Sequence, residues 1–138
     1  GKAMRSLMLA AAMALGLATG AVAQDADPIR SVIQGQMDAF IARDPVTAFT
    51  FASPMIKGMF GSPENFGAMV SSGYPMIWNP SSVKYLGLRE VAGRQIQRVM
   101  VTDGTGKTHL FDYDMIEVPP DGWKINGVFP VPDQGAGA

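Results

Sequence analysis

Cysteine is missing from the 138 residues, and histidine occurs once. Without cysteine there is no disulfide, no thiolate metal site, no thiol nucleophile and no lipid attachment through sulfur. The fold has to be held by core packing. Basic residues are no more plentiful than acidic ones: eleven Lys and Arg stand against twelve Asp and Glu. Leaving out Lys2 and Arg5, which belong to the leader described below, the rest carries nine basic and twelve acidic side chains, a net charge of −3. A nucleic-acid partner is not expected, because it would need a clustered basic surface. No basic amphipathic stretch suggests a membrane-surface helix, and no solenoid-length repeat or low-complexity linker divides the chain.

What is present begins with a segment of export-signal character. Lys2 and Arg5 make a positive start, Leu7 to Ala18 form an apolar run too short to span a bilayer comfortably, and Ala21-Val22-Ala23 supplies the small-x-small pattern of a cleavage site. The expectation is removal of residues 1–23, a periplasmic or secreted location, and no stable membrane anchor after cleavage. Residues 24–132 would then be one domain with a single core, followed by a disordered tail over 133–138.

The first half of that domain repeats one piece of punctuation: Asp27-Pro28, Asp44-Pro45, Ser53-Pro54 and Ser62-Pro63. Each pairs a side chain able to accept from an orphan helix N–H with a proline suited to the first helical position, so four helix starts are predicted. After the first, Ile29, Val32, Ile33, Met37, Phe40 and Ile41 recur at helical spacing. Two short helices follow, the second carrying Met55, Ile56 and Met59, and then one that buries Phe66, Met69 and Val70 and stops near Gly73. In the second half the period changes. Runs at about 82–91, 94–103, 107–117 and 122–131 are rich in β-branched and aromatic residues and are separated by Ala92-Gly93, Asp103-Gly104-Thr105-Gly106 and Pro119-Pro120-Asp121-Gly122. The fold class is therefore α+β: N-terminal helices packed on a curved antiparallel sheet of about four strands.

Residues 101–115, VTDGTGKTHLFDYDM, hold three chemical suggestions. Gly106-Lys107-Thr108 echoes a phosphate loop, but the required first glycine is Val101 and a strand follows where a helix is needed. Asp112 and Asp114 lie two apart on a strand, about 6 to 7 Å from each other. A calcium loop would need further ligands where Ile116 and Glu117 stand, so no metal and no cofactor is expected. His109, the weak catalytic candidate, shares the odd-numbered face with Phe111, Tyr113 and Met115, whereas the aspartates lie on the even face. It can pair with neither unless a bulge intervenes. No G-x-S-x-G nucleophile turn occurs either.

If the odd face is the covered one, Trp123, Ile125 and Phe129 of the last strand and Tyr85 of the first join it. Such a surface is either a plain core or the lining of an apolar pocket with phenol and indole handles. Ten methionines, three of them in the leader, favour an adaptable cavity. The ligand-binding candidates are Tyr74, Trp78, Tyr85, Phe111, Tyr113 and Trp123.

The segments Phe51-Ala52-Ser53-Pro54, Phe60-Gly61-Ser62-Pro63-Glu64-Asn65-Phe66, Met69-Val70 and Gly73-Tyr74-Pro75 resemble the exported bacterial family called domain of unknown function 4864, over nearly all of residues 27–131. That resemblance implies no activity. The closing Gly122-Trp123-Lys124-Ile125-Asn126-Gly127-Val128 is similar to the last strand of nuclear-transport-factor-like (SnoaL-like, cystatin-like) cone folds, a superfamily that includes ketosteroid isomerase, scytalone dehydratase and polyketide cyclases. The likeness implies a sheet wrapped round a long helix with a pocket at its open end. Enzymes of that kind use an acid or base inside an apolar cone, for which His109, Tyr113, Tyr85, Asp38 and Arg98 are the inward candidates here; none forms a recognisable pair. The leading expectation is a non-catalytic module for a small apolar or amphipathic ligand. An isomerase, dehydratase or hydrolase using His109 or a buried carboxylate comes second, and a structural homodimer joined through the even-numbered sheet face third.

Overall fold

The computed structural model describes residues 27–132, so the leader expected over 1–23 and the tail expected over 133–138 lie outside the described residues. The first helix, α1, is described over residues 27–41. Its buried stripe is Ile29, Ile33, Met37 and Phe40, one residue per turn, with the amide Gln36 beside it. Ile41, expected on this stripe, is exposed, because a 100° step from Phe40 carries it past the edge of the covered face. The helix ends on Arg43 at φ +59°: the Arg43 N–H donates to the Phe40 carbonyl at 3.0 Å and the Asp44 N–H to that of Ala39 at 2.9 Å. That is the bonding of a glycine-type C-terminal cap. Arginine stands there because its guanidinium is used, donating to the carbonyls of Phe40 and Trp78 and lying 5.0 Å over the Trp78 ring.

The remaining Asp-Pro and Ser-Pro pairs start helices as the sequence indicates. Asp44 caps α2 (Pro45–Thr50) by accepting from the Thr47 N–H, Ser53 caps α3 (Pro54–Phe60) from Ile56, and Ser62 caps α4 (Pro63–Gly73) from Asn65. One more turn, α5 (Pro75–Trp78), follows at Tyr74-Pro75. It was not anticipated, since its start has no capping side chain.

Four strands, β1 (Ser82–Val91), β2 (Arg94–Thr102), β3 (Thr108–Val118) and β4 (Gly122–Pro130), form an antiparallel meander in the order β1-β2-β3-β4. The helices pack against one face of this curved sheet, and Val99, Val101, Phe111, Tyr113, Met115 and Ile125 join the buried residues of α1, α4 and α5 in one core. An aromatic cluster ties α1, α4 and α5 together: Phe66 lies 5.9 Å from Phe40, which lies 5.5 Å from Trp78.

Two bulges decide which side chains face inward. In β1 the register shifts between Tyr85 and Leu88, and buried Gln97 on β2 satisfies the loosened backbone by donating to the Leu86 carbonyl at 2.9 Å. In β4, Ile125 pairs with Met115 and Gly127 with Asp114, leaving Asn126 as the extra residue. Past that point the parity of β4 reverses. Val128 pairs with Tyr113 and packs on the core, while Phe129, expected on the covered face, pairs with Asp112 and is exposed. The outer edge of β4 is partly closed by the chain between α2 and α3: Ile125 N–H donates to Phe51, and Ser53 N–H to Ile125, each at 2.9 Å, making a parallel bridge at Ala52.

Candidate functional site: an apolar cavity beside the bulged strand

Where that closing segment turns away into α3, the edge of β4 is left open, and a cavity of about 310 Å³ enters the molecule there. Its walls come from α3 (Met55, Ile56, Met59), α4 (Phe66, Met69, Val70) and β4 beyond Ile125, and its inner end from Phe40, Ile77 and Tyr113. Exposure orders these residues. Met59, Phe129 and Met55 are 65%, 57% and 52% exposed and form a rim, whereas Phe40 and Tyr113 are at most 1% exposed. The helix α3 has no buried residue at all, which fits a wall lying over a hollow and not over filled core. Two methionines at its rim add an unbranched, polarizable surface that adapts to whatever lies against it.

The polar groups in this lining are few and mostly committed. Gln36 donates to the Ala48 carbonyl at 3.2 Å. Ser53, fully buried, donates its hydroxyl hydrogen to Asn126 Oδ1 at 2.7 Å while accepting from the Ile56 N–H, so one hydroxyl locks the bulge of β4 to the start of α3. Behind Asn126 stands Asp114, held by Arg94 at 2.6 Å. Tyr113 differs: its hydroxyl is buried and has no hydrogen-bond partner among the described residues. Burial, with lesser repulsion from Tyr85 and Tyr74, pushes its ionisation far above the ordinary tyrosine range, so it stays protonated. None of the cavity's lining residues carries a formal charge.

Of the six ligand-binding candidates, Tyr74 and Tyr113 line this cavity. Trp78 instead stacks between Phe40 and the Arg43 guanidinium, and Tyr85 donates to Gln34 Oε1 at 2.7 Å. Burial, reinforced by Asp38, pushes Tyr85 up to about 12. Trp123 packs on the core from the far end of β4, and Phe111 lies 6.0 Å from Tyr74. Phe111, Tyr74 and His109 meet at a second hollow of about 290 Å³, with Met76 and Val131. His109 does not line the first cavity. Its Nε2 lies 2.8 Å from Asp103 Oδ2 across the β2–β3 turn, a contact within the hairpin loop that strand parity does not govern. Bonds from His109 and then Thr105 hold the Asp103 carboxyl well below the usual range. The same carboxylate accepts from the Thr105 and Lys107 N–H groups, so the phosphate-loop look-alike is a hairpin turn organised by one aspartate.

Asp112 and Asp114, the D-x-D pair, each pair with arginine, but Asp114 is buried and its Oδ1 has no partner among the described residues. Asp112 accepts from Arg98 at 2.9 and 3.0 Å and from Arg89 at 3.0 Å. Among the described residues no group of three His, Asp or Glu is placed to hold a metal ion. Of the other inward candidates, Asp38 is exposed and accepts from Gln34 on its own helix, and Arg98 faces outward to Asp112. The rim methionines Met55 and Met59 were legible only as part of an apolar short helix. The usable signal was that PMIKGMF offers one charge in seven residues, too few for a helix with one wet face.

The fold and the cavity define an α+β protein with a single-helix-layer cover and a neutral apolar pocket at one edge of its sheet. The family model described as domain of unknown function (DUF4864) matches residues 22–138, and the chain belongs to that family. Comparison with curated proteins finds no match, and comparison with solved structures finds none either.

Proposed function

We propose that this chain is a non-catalytic binding module that holds a small apolar or amphipathic molecule in the cavity between α3, α4 and the bulged end of β4. The observation that carries the reading is the cavity itself: about 310 Å³ lined almost wholly by apolar side chains, rimmed by exposed methionines and closed at its inner end by buried groups. Kinship with the cone folds belongs to the same proposal and rests on element order and on a pocket at the open edge of the sheet. Export belongs to it too, resting on the leader-like first 23 residues.

An isomerase, dehydratase or hydrolase reading draws less support, because the one imidazole lines a different hollow and is held in a hairpin turn. The homodimer reading would use the open sheet face, where Asp112 and Asp114 already pair with arginines of the same chain. Titration of the protein with a neutral, naphthalene-sized fluorophore tests the binding reading. One saturable site is expected; a signal that only rises linearly, as for non-specific partition, would contradict it.

A further inference from the structure

The cavity's polar groups narrow the class of molecule it suits, an inference that rests on the binding reading above. The inner end is where specificity has to lie, because the rim of Met55, Met59 and Phe129 offers only dispersion and area. Of the other lining amides, Gln36 donates through Nε2 to the Ala48 carbonyl and Asn126 accepts from Ser53 through Oδ1. Tyr113 is the one lining residue with a buried polar side-chain atom lacking a partner, and it is wholly buried. A buried hydroxyl with no partner is a cost that a folded chain seldom carries without use. The hydroxyl has almost no open surface, so a ligand oxygen reaches it only with a small shift of the inner wall; once there it would relieve that cost and offset much of its own desolvation.

Charge sets the second limit. No lysine, arginine or histidine lines the cavity, and the nearest guanidinium on the network, Arg94, is committed to Asp114 at 2.6 Å. A carboxylate or phosphate carried to the inner end would be buried without a counter-ion, which is strongly unfavourable. Size sets the third: a dry cavity of about 150 Å³ takes benzene, so one of about 310 Å³ suits roughly a dozen non-hydrogen atoms.

We infer that the cavity takes an uncharged apolar molecule of about a dozen non-hydrogen atoms that carries one hydrogen-bond acceptor, a carbonyl or ester oxygen, and enters acceptor-first so that Tyr113 donates to that oxygen while the apolar remainder lies against the methionine rim.

Three probes of nearly equal size separate the parts of this statement when titrated calorimetrically into the protein and into Tyr113→Phe: benzylacetone (neutral, one carbonyl), pentylbenzene (no acceptor) and phenylbutyrate (anionic). Benzylacetone and pentylbenzene are expected to bind the native chain. The substitution should weaken benzylacetone about tenfold, the worth of one buried hydrogen bond, and leave pentylbenzene unchanged, which also shows that the variant is folded with its cavity intact. Phenylbutyrate should bind neither protein. If the substitution moves the two neutral probes equally, or phenylbutyrate competes as well as benzylacetone, the acceptor-first inference is overturned while the binding reading survives. If no probe binds, the binding reading itself fails.

Discussion

Tyr113 and Asp112 sit one residue apart on β3 and meet opposite fates, because a strand sends alternate side chains to opposite faces. The tyrosine enters the core with its hydroxyl unbonded, and the aspartate enters a lattice of arginines on the open face. Removing the Tyr113 hydroxyl should therefore cost nothing in the unliganded protein. Tyr113→Phe is expected to leave stability unchanged or to raise it by about 1 kcal/mol, because an unsatisfied buried hydroxyl is lost and no bond is broken; urea unfolding of the two proteins checks this. Asp112 gives the opposite kind of expectation. Arg98, then Arg89, pull its carboxyl from the ordinary 3.8 down to about 2. A depressed carboxyl stabilises the folded chain fully above about pH 4, and that contribution disappears as the pH falls through about 2. Asp112→Asn should flatten the fall in stability across that window and change the slope little above pH 5, as read from urea midpoints at successive pH values.

Two connections show how far local chemistry shapes these elements. The β1–β2 hairpin turns on Ala92 at φ +52° and Gly93 at φ +81°, both left-handed, and only the second is a residue at ease there. Ala92→Asn, which gives the Asn-Gly pair such turns favour, should raise stability by roughly 0.5 to 1 kcal/mol in urea unfolding. At the other junction, Ser53 both caps α3 and bonds Asn126. Ser53→Ala should cost about 1 to 3 kcal/mol, and hydrogen exchange should speed up in α3 before it does in β2 or β3. The helix starts at Asp44, Ser53 and Ser62 and the strand spans were plain in the sequence because each rests on local pairs: Asp-Pro and Ser-Pro for the helices, glycine turns for the hairpins; the uncapped start of α5 was not. The inward side of β4 was not plain beyond Ile125. One inserted residue reverses every side chain after it, and nothing in Asn126-Gly127 distinguishes a bulge from a regular strand until Ser53 is known to reach across from α3. The same limit kept Phe129 in the expected core and the cavity rim out of the expected site. Tyr113 was legible as a cavity residue because aromatic parity survived on β3; Trp78 does not join it in the cavity because the Arg43 contact that holds it spans 35 residues.

Taken together, the molecule is a four-stranded sheet whose helical cover is complete over α1 and thin over α3. Three of its ion pairs join β-strand residues and a fourth closes the β2–β3 turn, while Met59, Phe129 and Met55 stand exposed together at the β4 edge. Methionine positions make the cavity directly observable. Met55, Met59 and Met69 line it, Met76 lines the second hollow, and Met100, on β2 opposite Lys84 and Leu110, lines neither. The most direct measurement is a titration of methionine-methyl-labelled protein with benzylacetone, followed by two-dimensional NMR. Saturable shifts at Met55, Met59 and Met69, with Met76 and Met100 unmoved, are the expected result. Shifts confined to Met76, or spread evenly over all the methionines without saturation, would contradict a binding site in this cavity.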